Sequence, residues 1–78
     1  MKQIVMPRMG LTQETGTVIE WRKSVGDRIT KGEILLIIET DKVETEVMAE
    51  YDGTITEILI PEGLEVPVFT PLAVLEEG

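Results

Sequence analysis

Lys42 places an amine between two strand-like runs. Ile34-Leu35-Leu36-Ile37-Ile38-Glu39 lie upstream, Val43-Glu44-Thr45-Glu46-Val47-Met48 downstream, and Thr40-Asp41-Lys42 form a polar break between them. Hairpins usually place Gly or Asn at such a break. Three chemistries are open to a lysine there. A Schiff-base lysine needs desolvation to lower its pKa, whereas a wet turn beside Asp41 and Glu44 favours the charged ammonium. An attachment lysine needs exposure and a rigid base, so that a modifying enzyme can reach it. A merely solvated side chain needs neither, and the local pattern leaves that reading open.

The rest of the inventory holds little catalytic equipment. The 78 residues include no cysteine and no histidine, which removes disulfides, the common zinc ligands and Cys-His or Ser-His-Asp catalysis. No loop spaces carboxylates as a calcium site does, so no metal is expected. Fifteen acids against seven bases give a net charge of -8. That charge argues against nucleic acid and anionic membranes and favours solubility and basic partner surfaces. Met1-Lys2-Gln3 runs into Ile4-Val5-Met6-Pro7 without the apolar stretch of a signal peptide, and no run is long enough to span a membrane. The expected location is the cytoplasm, or an organellar matrix in a eukaryote.

Short β-branched runs separated by turn residues predict a chain that is nearly all strand. The expected strands are Lys2 to Met6, Thr17 to Arg22, Arg28 to Thr30, Ile34 to Glu39, Val43 to Met48, Thr54 to Ile60, Glu65 to Val68 and Leu72 to Leu75. Pro67 belongs at a sheet edge, where its missing N–H matters least. The alternation predicts a core of Ile4, Val18, Val25, Ile29, Leu35, Ile37, Val47, Ile55, Ile58, Val66, Leu72 and Val74. Trp21, the single tryptophan, is expected to pack against a sheet edge.

The chain also repeats itself at a shift of 37. Gly16, Thr17, Val18 and Glu20 align with Gly53, Thr54, Ile55 and Glu57. Gly26, Ile29, Leu35 and Glu39 align with Gly63, Val66, Leu72 and Glu76. Met6-Pro7 aligns with Met48-Ala49, and the first half carries about five extra residues between Pro7 and Gly16. Two halves too small to bury a face alone predict an all-β fold, a flattened sandwich of two antiparallel sheets with quasi-two-fold symmetry. The Lys42 hairpin then lies at the junction of the halves, opposite the chain ends. One domain is expected over residues 1–76, with 77–78 a tail or the start of a linker.

These marks together resemble the lipoyl domain of the dihydrolipoamide acyltransferase component of 2-oxo acid dehydrogenase complexes, in the biotinyl/lipoyl attachment family. The resemblance rests on Glu39-Thr40-Asp41-Lys42-Val43-Glu44-Thr45-Glu46-Val47, on Met6-Pro7, on Gly16-Thr17-Val18 before Trp21, and on Val25-Gly26-Asp27, Lys31-Gly32-Glu33, Gly53 and Glu62-Gly63. It implies the hammerhead sandwich of that family and lipoic acid amide-linked to Lys42. A non-catalytic carrier is implied, moving acyl groups and reducing equivalents among partner active sites. The partners implied are a lipoate ligase or octanoyl/lipoyl transferase, a thiamine-diphosphate-dependent 2-oxo acid decarboxylase, the acyltransferase catalytic domain and dihydrolipoamide dehydrogenase. The wording of the motif is nearer the pyruvate, branched-chain or acetoin forms.

Biotin carriers of the same fold place methionine on both sides of the lysine, where this chain has Asp41 and Val43. A biotin carrier and an unmodified adaptor of the same fold remain the alternatives. Asp41 and Val43 are expected to govern presentation of Lys42. Glu39 and Glu44 are candidate recognition acids, with solvent-facing strand positions as the plainer reading. Arg8, Met9 and Leu11 lie in the loop that, in the family, sits beside the lysine hairpin and helps partners tell domains apart. One departure stands out: Phe69-Thr70 occupy the place of Gly32-Glu33, where the family pattern has glycine.

Overall fold

The computed structural model describes residues 1–10, 12–41 and 43–78; Leu11 and Lys42 lie outside the described residues. Eight strands follow in order: β1 Lys2–Val5, β2 Thr15–Trp21, β3 Arg28–Ile29, β4 Ile34–Thr40, β5 Val43–Met48, β6 Gly53–Ile58, β7 Glu65–Pro67 and β8 Pro71–Glu77. They form two antiparallel four-stranded sheets, ordered β1-β8-β6-β3 and β5-β4-β2-β7. β8 includes Glu77, paired with Gly53, so the strand runs one residue into the segment read from sequence as a tail.

The repeat is visible in the hydrogen bonds. Replacing β1, β2, β3 and β4 by β5, β6, β7 and β8 converts one sheet order into the other. Individual bonds obey the same exchange. Gly26 donates to the Ile55 carbonyl and Gly63 to that of Val18; Arg22 donates to Leu35 and Leu59 to Leu72. Both halves carry a bulge at the equivalent place, between Val18 and Glu20 and between Ile55 and Glu57. The inward set therefore shifts parity along the strand, from Val18 to Trp21 and from Ile55 to Ile58.

The match at the first strand differs by one residue from the sequence alignment. Met6 donates to Thr70 and accepts from Phe69, while Ala49 donates to Glu33 and accepts from Gly32. Met6 is thus the counterpart of Ala49 at a shift of 43, against 37 elsewhere, and the first half carries six extra residues (43 − 37) rather than five.

The core lies between the sheets and contains Met6, Val18, Ile29, Leu35, Leu36, Ile38, Ala49, Ile55, Leu72 and Leu75, with Ile4, Trp21, Val47, Ile58 and Val66 packed around it. Val25, expected inside, is 57% exposed, because it sits in the turn ahead of β3 rather than on a strand face. Leu35 and Ile37 are buried as expected, but strict alternation leaves out Leu36 and Ile38, which are buried as well. A register shift between Ile34 and Leu36 turns Leu36 and Ile38 inward, and Ile37, though covered, stays outside the central cluster. Val74, expected inside, is only half-buried, whereas Leu72, Ala73 and Leu75 are the buried residues of β8. Trp21 packs on the core rim and its indole N–H donates to the Ile60 carbonyl at 2.9 Å. Pro67 is on β7, an edge strand, as its chemistry requires.

Candidate functional site

The β4–β5 hairpin ends in a two-residue connection. Thr40 pairs with Val43, and Asp41 opens the connection between them. Asp41 has φ 48°, the left-handed conformation that such tight turns demand of their first residue and that Asp tolerates better than most. Asp41 is exposed and Val43 is 61% exposed. The two residues that bracket Lys42 in the chain therefore stand in solvent, while Thr40 just below is buried at 9%.

Gly16 explains how the hairpin base is held. Continuing the β2–β4 register by one residue beyond Thr17↔Glu39 sets Gly16 beside Thr40. A Cβ at Gly16 would lie 2.6 Å from Met6 Sδ and 3.4 Å from Thr40 Cγ2. The missing side chain lets β1, β2 and β4 close on one another under the turn.

The loop between β1 and β2 stands against the hairpin. Gln13 secures it: its amide donates to the Pro7 and Thr15 carbonyls at 3.1 Å each, and its side-chain oxygen accepts from the Met9 N–H. Between loop and hairpin lies an open groove of about 610 Å³, lined by Met9, Gln13, Thr15, Thr40, Asp41 and Val43 among others.

The residues singled out from sequence fall on three surfaces. Asp41, Val43 and Met9 share the groove. Glu39 and Glu44 face each other across β4 and β5, and Glu44 lines a shallow depression with Ile19, Arg22, Ile37 and Glu46. Arg8 lies on the far flank of the loop with Val68, and its Nε donates to the Gly10 carbonyl at 3.1 Å. Arg8 is thus not brought into the groove with Asp41, and Leu11 and Lys42 lie outside the described residues.

Two residues were missed from sequence. Nothing in the sequence marks Gln13 as the loop's clasp. Phe69 left a signal, because it replaces the glycine of the equivalent turn. Its φ of 68° keeps the left-handed turn that Gly32 makes at 95°, and its side chain is 61% exposed. A bulky residue in that conformation costs about 1–2 kcal/mol, and an exposed ring returns little packing for it.

No group of three or more His, Cys, Asp or Glu among the described residues could hold a metal ion. No helix among them is long and apolar enough to cross a membrane. The hairpin can present a side chain but does not enclose one, which suits carriage of an attached group.

Comparison with known proteins agrees with that geometry. The biotin/lipoyl family model, described as "Biotin-requiring enzyme", matches residues 2–75. The chain is 46% identical over 74 residues to the pyruvate dehydrogenase E1 component subunit beta of Rhizobium meliloti, covering 94% of this chain and 16% of that protein. It is 41% identical over 78 residues to the dihydrolipoyllysine-residue succinyltransferase component of the 2-oxoglutarate dehydrogenase complex of Staphylococcus saprophyticus, covering 100% of this chain and 18% of that protein. The chain therefore spans under a fifth of either relative. Among solved structures, the lipoyl domain of the 2-oxoglutarate dehydrogenase complex from Azotobacter vinelandii superposes with a TM-score of 0.81 at 41% identity, covering 97% of this chain and 96% of that one.

Proposed function

The chain belongs to the biotin/lipoyl attachment family as a lipoyl domain, and from that premise we propose that Lys42 carries lipoic acid in amide linkage and that the domain serves as the mobile carrier of a 2-oxo acid dehydrogenase complex. The observation that carries this reading is the hairpin end itself. Asp41 and Val43 are exposed on either side of position 42 in the chain, and the adjoining groove is open rather than walled. The described residues leave room for a long arm and do not obstruct it.

When bound, the lipoyl group supplies a dithiolane that accepts acyl groups and electrons. The protein's own residues hold the base of that arm. Asp41 sets the turn by its left-handed backbone. Thr40 and Gly16 pin the turn to β2, and Gln13 keeps the β1–β2 loop against its side. Amide formation removes the ammonium charge of Lys42, leaving Asp41, Glu44 and Glu39 as the charges nearest in sequence. Tethering to the domain raises the arm's effective concentration at each partner active site. The proposed partners are the decarboxylase, acyltransferase and dihydrolipoamide dehydrogenase sites of such a complex, plus the enzyme that attaches the lipoyl group. The two relatives are a pyruvate dehydrogenase E1 component subunit and a succinyltransferase component, so the domain's place within a parent chain is open to either kind of component.

Incubation with a lipoate ligase, lipoate and ATP tests the reading. The lipoate carboxyl forms an amide with the Lys42 ε-nitrogen while ATP is cleaved to AMP and pyrophosphate. Intact mass is expected to rise by one lipoyl group and not to rise in Lys42→Arg. Modification by a biotin ligase instead, or by neither enzyme, sinks the proposal.

A further inference from the structure

Phe69 departs from the repeat in a way that the stability of the domain does not explain. The two equivalent turns share their backbone bonds: Phe69 donates to Met6 as Gly32 does to Ala49, and Thr70 donates to Pro67 as Glu33 does to Thr30. One copy uses glycine for the left-handed residue; the other keeps an exposed aromatic ring in the same conformation.

The position of that ring follows from register. Thr15 pairs with Pro67 on one side, and extending the pairing of Thr17 with Glu39 by two residues sets Thr15 level with Asp41 on the other. Asp41 and Pro67 thus lie in one row, two strand spacings apart, or about 10 Å. Phe69 follows Pro67 by two residues, and Val68 donates to the Glu14 carbonyl. The turn therefore adjoins the far flank of the loop that borders the hairpin groove. Phe69 and the Lys42 hairpin belong to one end of the molecule.

We propose that the Phe69 ring is a docking contact for the enzyme that attaches the lipoyl group to Lys42, an inference that rests on the carrier reading above. An unmodified lysine is a four-carbon stem, much shorter than the finished arm. The attaching enzyme must bring its active site close to the body of the domain, whereas enzymes served by the completed arm can stand further off. Surface at the hairpin end of the domain is what such an approach covers. The matching surface on the enzyme is an apolar socket for the ring with mainly basic groups around it, because Glu14, Asp41, Glu44 and Glu65 outnumber Arg8, which lies beside Val68, at this end of a chain of net charge -8. A buried aromatic anchor within a polar rim is the usual arrangement of a binding hot spot.

The test compares ligase-catalysed lipoylation of wild type, Phe69→Gly and Phe69→Leu, followed by intact mass with lipoate and ATP. Phe69→Gly relieves the turn and is expected to melt no lower than wild type, yet to raise the KM for the domain about tenfold with kcat little changed. Phe69→Leu keeps an apolar side chain in the turn and is expected to recover much of the loss. A Phe69→Gly domain modified with the wild-type KM overturns the docking role while leaving the carrier reading intact. Wild type that takes up no lipoyl group overturns both.

Discussion

Glu39 and Glu44 stand directly opposite each other across the β4–β5 pair. Like charges in that relation oppose strand pairing by roughly 0.2–1 kcal/mol. The pair is the last but one before the turn, with Thr40 and Val43 above it. A repulsive pair beside an attachment hairpin fits an acidic mark read by another protein. Glu44→Lys replaces repulsion with attraction. It is expected to leave the fold unchanged by circular dichroism and to raise stability by a few tenths of a kcal/mol. It is also expected to slow ligase or decarboxylase action on the domain. Unfolding, or unchanged rates with both enzymes, contradicts this division between stability and recognition.

Glu33 gives the domain a pH-dependent component. Its carboxylate accepts from Lys23 Nζ at 3.0 Å and from the Thr30 N–H at 2.6 Å. These bonds, the Lys23 one foremost, hold its pKa below the usual 4.5. A carboxyl whose pKa is lowered on folding contributes stability that is fully present above the unfolded value and lost as pH falls through the folded one. Urea midpoints measured from pH 7 downward are expected to decline below about 4.5, and Glu33→Gln is expected to flatten part of that decline. Parallel curves for the two proteins contradict the assignment.

Two glycines permit close approach, but their neighbours differ in compliance. A Cβ at Gly16 meets Met6 Sδ, the flexible end of a side chain, whereas a Cβ at Gly53 meets the carbonyl oxygen of Glu76. Gly53→Ala is therefore expected to lose about 1–3 kcal/mol, as overpacking usually does, and Gly16→Ala less. Chemical denaturation of the two variants measures the difference, and a larger loss at Gly16 would falsify the reasoning.

Met6 links the core to the site. It is fully buried, lies against Gly16, and bonds through its backbone to Phe69 and Thr70. Met6→Ala is expected to cost about 2–5 kcal/mol, a large share of the stability available to a domain this size. Gln13→Ala removes bonds only from the loop and the first residue of β2. Its expected effect is faster amide exchange at Met9 with nearly unchanged melting, and unchanged exchange would contradict the clasp.

Much of this architecture was legible because it is written twice. Gly16 against Gly53 and Val18 against Ile55 disclosed two halves, and the sheet orders are those halves exchanged. Where the halves differ, local pattern misled. The six-residue insertion hid the match of Met6 with Ala49, since Met6-Pro7 and Met48-Ala49 look more alike one place earlier. Period-two alternation cannot detect a register shift, so Leu36 and Ile38 escape it although they share the core with Leu35. At the site, Asp41 and Val43 announced their exposure through the turn. The flank on which Arg8 lies depends on the path of the β1–β2 loop, and that path is set by Gln13 bonds without a sequence signature.

The pairing of β1 with β8 bears on how the domain meets mechanical load. Lys2 lies beside Leu75, Gln3 beside Val74 and Ile4 beside Ala73, so both ends of the chain emerge side by side. Tension applied through them does not shear that ladder as a block; it peels β1 away one rung at a time. Anchored at both ends, the domain would yield first along this seam, and the hairpin at the opposite pole would be the last part to feel the pull.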